Sequence, residues 1–503
     1  MISAIHWIRK GVATQHPEKY NLDDKEYERI SKLAAEQLED AREDLQEAMA
    51  VDENMKSAPS QDKNDLSAYN LDTYDEEVEA AKKKKVGIFS NMKDLAYYDN
   101  EVEDPYITLK NSVDEDEERE ELEIMPTDNL LLAAKTEDEI SHLEVHVFEE
   151  SADNIYVHHD IMLPSFPLCL EWLDFHVGAK AGQEGSGNYV AIGTFEPDIE
   201  IWNLDMVDTM FPETILGHTD KTKKRKKKVN NEYHVDAIMG LSWNKNHRNF
   251  ILSSSADATV KLWDLTTSKC AQSYSHHQDK VQSVSWHPVE ATVFISGSYD
   301  KTVCALDARS PQQCTKWQLQ SDVEALRWDP HNPTNFYVAL ENGIVQCYDI
   351  RATNGAVGGK ALFTLQAHDD AVSALDINPL VPGCIATGST DKLVKVWNTS
   401  NNQPSMVTSR NFELGRIFSA QFCPDSPFQL AIAGSNGSLH VWDMSTNAGV
   451  RQAFRNINPA FAEAVEEKQP ITLQNDEEEE SDDEPAEGEG NESEEEMEED
   501  DFV

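Results

Sequence analysis

The chain has 503 residues, enough for several ordinary domains or for one large domain with long extensions. Asp and Glu number 93 against 43 Lys and Arg, which gives a formal net charge of −50. Such a chain cannot attract nucleic acid through its overall field, so any nucleic-acid contact must be local. Seven cysteines without a Cys-x-x-Cys pair indicate reduced thiols, as in cytosolic or nuclear proteins.

The N-terminus reads MISAIHWIRKG, which is too short and too polar for a signal peptide. No apolar run in the sequence approaches the length needed to span a membrane, so we expect no membrane association. Residues 2–7 follow the pattern apolar-x-x-apolar-x-Trp, which we read as a β-strand. We predict that residues 1–13 form an N-terminal strand that joins a domain further along the chain.

Residues 14–126 form a mostly acidic insertion. Within 25–50 the apolar residues recur on one side of a helix, which could pack on the main domain or bind a partner. Two short segments, 66–77 and 104–109, place aromatic and aliphatic residues among acids. Disordered tracts usually lack aromatics, so these segments predict docking, either on the same molecule or on a partner. We expect the insertion to be partly helical and partly disordered.

Two strand patterns recur from residue 127 to residue 455. The N-terminal pattern returns in 167–172, 238–243, 281–286, 323–328, 372–377 and 417–422. A second pattern, often ending in Trp-Asp, occupies 143–148, 199–204, 260–265, 303–308, 345–350, 394–399 and 439–444. Nine of the ten tryptophans lie in these two patterns, the exception being Trp317. A repeat of about 40–45 residues with such strands is typical of WD40-type β-propellers.

Both patterns occur seven times only if strand 2–7 belongs with the strands of 129–160. The sequence therefore predicts an all-β, seven-bladed WD40 propeller over 127–455, whose first blade is split by the insertion. Closing so long a flexible loop costs about 4 kcal/mol, which pairing of the N-terminal strand could offset. That strand would close the ring and leave it without open sheet edges.

Three blades repeat a His and an Asp with fixed spacing before the end of a strand. The sets are His234, Asp257 and Trp263, then His277, Asp300 and Leu306, then His368, Asp391 and Trp397. An Asp in the tight turn between two strands needs hydrogen-bond donors, and a His from the preceding loop can supply one, helped in the third blade by Ser254 or Ser255. We predict a structural network, because a catalytic acid, base and hydroxyl would not normally recur three times around a ring.

The connection 219–232, between the second and third blades, carries seven positive charges within residues 221–228. We predict a nuclear or nucleolar localisation signal made of Lys223, Lys224, Arg225, Lys226, Lys227 and Lys228. A loop that contacts RNA or DNA locally, and a merely solvated loop, are the alternatives.

Residues 456–503 are predicted to form a disordered acidic tail. Between Asp476 and Asp501 there are 18 acidic residues and no basic one, so this stretch cannot bury a core and repels itself. It should attract basic partners such as histones and ribosomal proteins, or else serve solubility alone. Acids follow Ser481 and Ser493, which predicts phosphorylation of both by acid-directed kinases.

The sequence contains no nucleophile elbow, zinc box or dinucleotide fingerprint, so we expect no enzyme and no cofactor or metal. The adjacent pairs His158–His159 and His276–His277 should point to opposite faces of a strand, which argues against metal ligation. LDAR (306–309) and YDIR (348–351) are similar to the Trp-Asp-x-Arg box of ubiquitin-ligase substrate receptors, with the Trp replaced. Arg309 and Arg351 either serve that role or make structural and surface contacts.

The motifs, taken in order, resemble the periodic tryptophan protein 1 family of WD40-repeat proteins. They are ISAIHWIRKGVA (2–13), YNLDTYDEE (69–77), DPYITL (104–109), PTDNLLL (126–132), LEVHVFEE (143–150), YVHHDI (156–161), HVDAIMGLSWN (234–244) and HPVEATVFISGSYDKTV (287–303). Generic WD40 proteins lack the split first blade and these linear motifs. The strongly acidic tail departs from the family pattern, so functions tied to the C-terminus are not carried over.

The resemblance implies a nuclear, largely nucleolar scaffold in ribosome biogenesis, acting in large-subunit assembly, rRNA gene transcription and chromatin. The implied partners are ribosome assembly factors, ribosomal proteins and histones, with RNA contacted locally or indirectly. We expect a monomer that works within larger assemblies. Two other functions stay open: a chromatin or histone-binding WD40 protein, and a substrate receptor for a ubiquitin ligase.

Overall fold

A computed structural model of the chain describes residues 1–20, 122–181, 185–217, 230–354, 357–456 and 465–473. Seven antiparallel sheets, each built on four strands, follow one another along the described chain. The innermost strand of each blade contacts the innermost strands of both neighbours, so the blades form a closed ring around a channel. The prediction of an all-β, seven-bladed propeller is confirmed.

We label the strands of each blade a to d from the channel outwards. Blades one to three consist of Ile2–Ile8, Asn129–Glu137, Ile140–Glu149 and Asn154–Leu163; Pro167–Leu173, Tyr189–Thr194, Ile199–Asn203 and Thr214–Leu216; and Ile238–Trp243, Phe250–Ser255, Val260–Asp264 and Lys269–Tyr274. Blades four and five consist of Val281–Trp286, Val293–Ser298, Thr302–Asp307 and Cys314–Gln318; and Val323–Trp328, Asn335–Leu340, Ile344–Asp349 and Phe363–Gln366. Blades six and seven consist of Ala374–Ile377, Cys384–Gly388, Leu393–Asn398 and Ser405–Asn411; and Ile417–Phe422, Gln429–Gly434, Leu439–Asp443 and Ile471–Thr472.

A few short elements decorate the blades. The pair Thr353–Asn354 and Val357–Gly358 extends the sheet of blade four. Glu18–Lys19 runs parallel to Met206–Val207, beside blade two. One short α-helix, Ala448–Ala453, and the 3-10 turns Gly178–Lys180, Ser400–Asn402 and Met444–Thr446 complete the helices of the described residues.

A β-bulge explains the repeated strand pattern. In strand a of six blades the pairing register shifts after the first residue, as between Ile238 and Gly240 in blade three. The extra residue changes the phase of the inward and outward alternation. The first, fourth and sixth residues are therefore the buried ones, as the pattern BiiBiB of Ile238–Trp243 illustrates. The spacing apolar-x-x-apolar-x-Trp is the sequence mark of this bulge.

The N-terminal strand completes blade one, so the insertion splits that blade. Ile8 lies opposite Leu130 and Trp7 lies opposite Leu131 in the antiparallel ladder. The two ends of the insertion are held together, because the Ile124 amide donates to the Gln15 carbonyl at 2.9 Å. The predicted helix 25–50 and the segments 66–77 and 104–109 lie outside the described residues.

The C-terminal boundary of the propeller needs a correction. Strand d of blade seven is Ile471–Thr472, which pairs with His440 and Val441, although the sequence placed the end of the propeller at residue 455. Lys468 also forms an ion pair with Asp153 of blade one. The segment 456–503 is therefore not all tail. The sequence pattern missed this strand because a two-residue outer strand carries no periodic signal.

Candidate functional site

Strand direction divides the loops of the propeller between two faces. Because neighbouring strands are antiparallel, the a–b and c–d turns lie on one face, and the b–c turns and d–a connections lie on the other. We call these the a–b face and the b–c face. Strand a therefore runs from the b–c face towards the a–b face along the wall of the channel.

The structure brings His234, Asp257 and Trp263 together in a buried network at the b–c face of blade three. His234 Nδ1 lies 2.9 Å from Asp257 Oδ2, and His234 Nε2 lies 2.7 Å from Ser253 Oγ. The indole Nε1 of Trp263 donates to the same Ser253 oxygen at 2.8 Å. The hydroxyl of Thr259 donates to Asp257 Oδ1 at 2.6 Å. Every member thus has a partner, as buried polar groups require.

These contacts define the proton positions in the network. A carboxylate can only accept, so His234 carries its proton on Nδ1 and its Nε2 accepts from the Ser253 hydroxyl. Burial alone would raise the pKa of Asp257, but its bonds with His234 and Thr259 lower that pKa to about 2. Ser253 contacts the imidazole, and not Ser254 or Ser255 as the sequence predicts. The Ser254 hydroxyl donates to the Gly240 carbonyl, and Ser255 accepts from the Asp257 amide.

The other two networks have the same core but different ends. His277 Nδ1 is 3.0 Å from Asp300 and His368 Nδ1 is 2.8 Å from Asp391. In blade six, the indole Nε1 of Trp397 donates to the Thr387 hydroxyl, which also contacts His368 Nε2. Ser253 has the same place between Trp263 and His234 in blade three. In blade four, Leu306 occupies the corresponding position, and an indole donor is missing. Each His is buried, and both of its ring nitrogens contact polar side chains of the same blade.

The fifth residue of the six-residue pattern that marks strand a forms a second repeated feature, which we call the channel ring. Its members are His6, Glu171, Ser242, Ser285, Arg327, Asp376 and Gln421. Four of them accept a backbone N–H from the next blade: Glu171 from Trp243, Ser242 from Trp286, Asp376 from Phe422 and Gln421 from Trp7. The channel ring therefore clamps neighbouring blades. The sequence analysis missed it, although the polar fifth position of the repeated pattern was its signal.

Glu171 in the channel ring gives a testable pH dependence. Burial raises the pKa of this carboxyl to about 7, against the opposing effect of the Trp243 N–H and of Lys245 and Arg327. Because the folded pKa lies above the unfolded one, the stabilising contribution is complete below about pH 4.5 and is lost as the pH rises through about 7. Between about pH 5 and about pH 8, we expect the free energy of unfolding of the wild type to fall by about 1–3 kcal/mol relative to that of Glu171→Gln. Denaturant unfolding of both proteins at the two pH values measures this, and a difference that stays constant would refute it.

The described loops of the b–c face are mostly acidic. Among the described residues, the b–c turns and d–a connections hold twelve acids outside the three networks and four cations, Lys280, Lys301, Lys392 and Arg416. The acids are Asp138, Glu139, Glu196, Asp198, Glu232, Asp236, Asp279, Asp322, Glu341, Asp369, Asp370 and Glu413. Five of these acids belong to blades four to six: Asp279, Asp322, Glu341, Asp369 and Asp370. Together with Glu324 of the strand Val323–Trp328 they form what we call the acidic sector.

Glu324 shows how closely the acidic sector is packed. It lines the channel near the b–c face, with the Tyr299 hydroxyl 3.5 Å from its carboxylate. Burial raises the pKa of Glu324, and the charges of Glu341 and Asp322 raise it further. A neighbouring positive charge would relieve this repulsion, so the acidic sector favours a cationic partner.

Arg309 and Arg351 lie on the a–b face and fold back on their own turns. Arg309 pairs with Asp307 at 2.6 Å and Arg351 pairs with Asp349 at 2.8 Å. Both guanidinium groups are well exposed. Each Arg therefore makes a local turn contact in this structure.

The adjacent histidines of blade one correct one expectation. We predicted that His158 and His159 point to opposite faces of the strand, but their Nδ1 atoms lie 2.8 Å apart. His158 is the extra residue of a bulge, because Val145 pairs with His159 and His146 pairs with Val157. The other pair does diverge: His276 contacts the Pro311 carbonyl while His277 contacts Asp300.

Several predicted sites lie outside the described residues: Lys223, Lys224, Arg225, Lys226, Lys227 and Lys228, and the phosphorylation candidates Ser481 and Ser493. Within the described ranges, no group of three or more His, Cys, Asp or Glu side chains is placed to hold a metal ion. Over the same ranges, no helix has the length and apolar character needed to cross a membrane.

Comparison with known proteins gives consistent matches. The family described as WD domain, G-beta repeat matches residues 227–264, 268–306, 359–398 and 409–443. An uncharacterized WD repeat-containing protein of Schizosaccharomyces pombe is 47% identical, covering 95% of this chain and 94% of its own length. Periodic tryptophan protein 1 of Saccharomyces cerevisiae is 36% identical, covering 94% and 93%. The periodic tryptophan protein 1 homolog of Drosophila melanogaster is 30% identical, covering 90% and 96%.

Proposed function

Because this chain belongs to the periodic tryptophan protein 1 family of WD40-repeat proteins, we propose that it is a non-catalytic scaffold for ribosome biogenesis in the nucleolus. It would act in large-subunit assembly and in transcription of rRNA genes, through protein–protein contacts. The acidic sector carries this proposal. Ribosomal proteins and the factors that escort them are rich in Lys and Arg, and a negative surface both attracts and orients such partners.

The connection 219–232, between blades two and three, holds a cluster of Lys and Arg in the sequence. We propose that RNA, where it is touched, is touched at this connection, and that basic proteins occupy the acidic sector. Lys223 to Lys228 would also direct the protein to the nucleus.

The test is affinity purification of the full-length protein from nuclear extract, with and without RNase, followed by mass spectrometry. Large-subunit precursors and assembly factors are the expected partners, and RNase sensitivity would identify those bridged by RNA. A protein that is wholly cytoplasmic and sediments free of ribosomal precursors would refute the proposal. Retention of a ubiquitin-ligase adaptor instead would favour the substrate-receptor function.

Charge reversal in the acidic sector should abolish most of this capture. We expect Glu341→Lys with Asp369→Lys to weaken binding of basic partners by about tenfold or more at low salt, because both side chains are exposed and change the local field by four charges. Quantitative mass spectrometry of the purified complexes measures the loss. The matched control is Glu290→Lys with Glu466→Lys, which makes the same charge change at exposed sites on the a–b face. Equal loss in both variants would show that overall charge, and not the acidic sector, governs binding.

Histone binding is the second candidate function, since histone tails have the same cationic chemistry and the same face would receive them. Histones and transcription factors captured without ribosomal precursors would favour it. Direct, salt-sensitive histone binding that falls on removal of 476–503 would assign a part to the acidic tail. Unchanged affinity of the truncated protein would exclude the tail.

A further inference from the structure

At its a–b end, the channel is lined by polar side chains to which the proposed function gives no role. The cavity has a volume of about 930 Å³ and is lined by strand a of the blades. This volume lies within the range of small-molecule pockets, about 300–1,000 Å³. Six members of the channel ring line it, namely His6, Glu171, Ser242, Ser285, Arg327 and Gln421, and Lys245 stands beside them.

The hydrogen bonds between neighbouring blades occupy acceptor atoms of the channel ring and leave several of its donor groups without a partner. The Gln421 side-chain oxygen accepts from the Trp7 amide, which leaves its NH₂ group for the channel. Glu171 Oε1 and Ser242 Oγ are likewise occupied by backbone N–H groups of the next blade. Among the described residues, the Ser285 hydroxyl has no side-chain hydrogen bond, and the ring of His6 has no partner. The wall at this level is therefore rich in free donors.

Two cations, Lys245 and Arg327, also line the cavity. Lys245 is exposed and has no ion-pair partner among the described residues. Arg327 forms an ion pair with Asp376: the Nε atom of Arg327 lies 3.5 Å from Oδ1 of Asp376. The Asp376 carboxylate therefore already has a cationic partner. Burial and the charges of Lys245 and Arg327 lower the pKa of His6 to about 3. His6, Glu171, Lys245 and Arg327 all line this cavity, and both cations also act on the Glu171 carboxyl.

We propose that this end of the channel binds the phosphate group of a small phosphorylated compound. Lys245 and Arg327 supply the charge, and Ser285, Gln421 and His6 supply neutral donors, which is the donor set that an oxyanion requires. Entry is through the a–b face, because Glu324 and the rest of the acidic sector repel anions at the opposite mouth. The hydrogen bond from the Trp243 amide uses Oε1 of Glu171, and on protonation the Glu171 O–H becomes a further donor. Binding of the anion is thus coupled to uptake of a proton by Glu171.

Isothermal titration of the full-length protein with inorganic phosphate and with pyrophosphate tests the site. We expect saturable 1:1 binding that weakens about tenfold in Lys245→Gln and about threefold or more in Ser285→Ala, since each loses one donor. Lys269→Gln is the matched control, because Lys269 is an exposed lysine of the same blade at the start of its outer strand. Binding that is absent, or that falls equally in Lys245→Gln and Lys269→Gln, would overturn the proposal.

A second arm separates the site from general charge effects. Sulfate keeps its charge across neutral pH, so a rise in its affinity from about pH 8 to about pH 6 reports titration of the protein. Two titratable side chains of the lining are Glu171 and His287, and burial lowers the pKa of His287, so we assign the rise to Glu171. The groups that act on Glu171 are the Trp243 N–H, Lys245 and Arg327, and Glu171→Gln removes the titrating proton. We expect the variant to bind sulfate with little pH dependence. A variant that retains the full pH dependence would refute the role of Glu171, and thermal unfolding of each variant checks that it is folded.

Discussion

Replacing Asp257 by Asn is expected to lower the free energy of unfolding by about 3 kcal/mol. Asp257 Oδ2 accepts from His234 Nδ1 and the Val235 amide, and Oδ1 accepts from the Thr259 amide and hydroxyl. An amide NH₂ cannot accept, so at least two buried donors lose their partner, at about 1–3 kcal/mol each. The loss should appear as a shift of the denaturant midpoint followed by fluorescence of the buried tryptophans.

Two comparisons sharpen this test. Asp236→Asn is the matched control, since the exposed Asp236 has one amide contact that Asn can keep, and a change within about 0.5 kcal/mol is expected. Asp391→Asn should lie between the two, because Leu393 at the place of Thr259 supplies an amide but no hydroxyl. If Asp257→Asn shifts the midpoint no more than Asp236→Asn, the network does not stabilise the blade.

The second large effect concerns closure of the ring. We expect Trp7→Ala to lower the free energy of unfolding by about 3–5 kcal/mol. The Trp7 side chain is only 4% exposed, its indole lies 5.6 Å from the ring of Phe148, and its Nε1 donates to the Gln421 carbonyl at 3.0 Å. One side chain therefore fills the seam between blades one and seven and binds them to each other. Trp7→Phe should retain the packing and lose about 1 kcal/mol for the hydrogen bond.

Trp317→Ala is the control for cavity formation alone. Trp317 is equally buried but lies in strand d of blade four, and its Nε1 has no partner within the described structure. Both alanine variants should lower stability, but only Trp7→Ala should raise hydrogen–deuterium exchange in Asn129–Glu137 and Ile417–Phe422, the strands beside it. Equal exchange in these strands for both variants would contradict a closing role for the N-terminal strand.

The sequence by itself determined the blade count, the positions of strands a and c, and the pairing of His234 with Asp257 and of its counterparts. Each of these depends on residues that recur at short, fixed distances, and even the β-bulge of strand a was written into the spacing of its apolar positions. The N-terminal strand could be assigned to blade one for the same reason, because ISAIHW carries the complete pattern of strand a.

Tertiary structure alone decided the rest. Residues Ile471–Thr472 form a strand only because they pair with strand c of blade seven. The contact between His158 and His159 follows from a β-bulge, which becomes visible only in the pairing with the neighbouring strand. The channel brings together four side chains from distant parts of the sequence: His6, Glu171, Lys245 and Arg327. The first and the last of them are more than 300 residues apart. Such sites arise only when a closed ring brings equivalent positions of different blades together. The short-range periodicity of the sequence does not tell which of these charged side chains lie near each other across the channel.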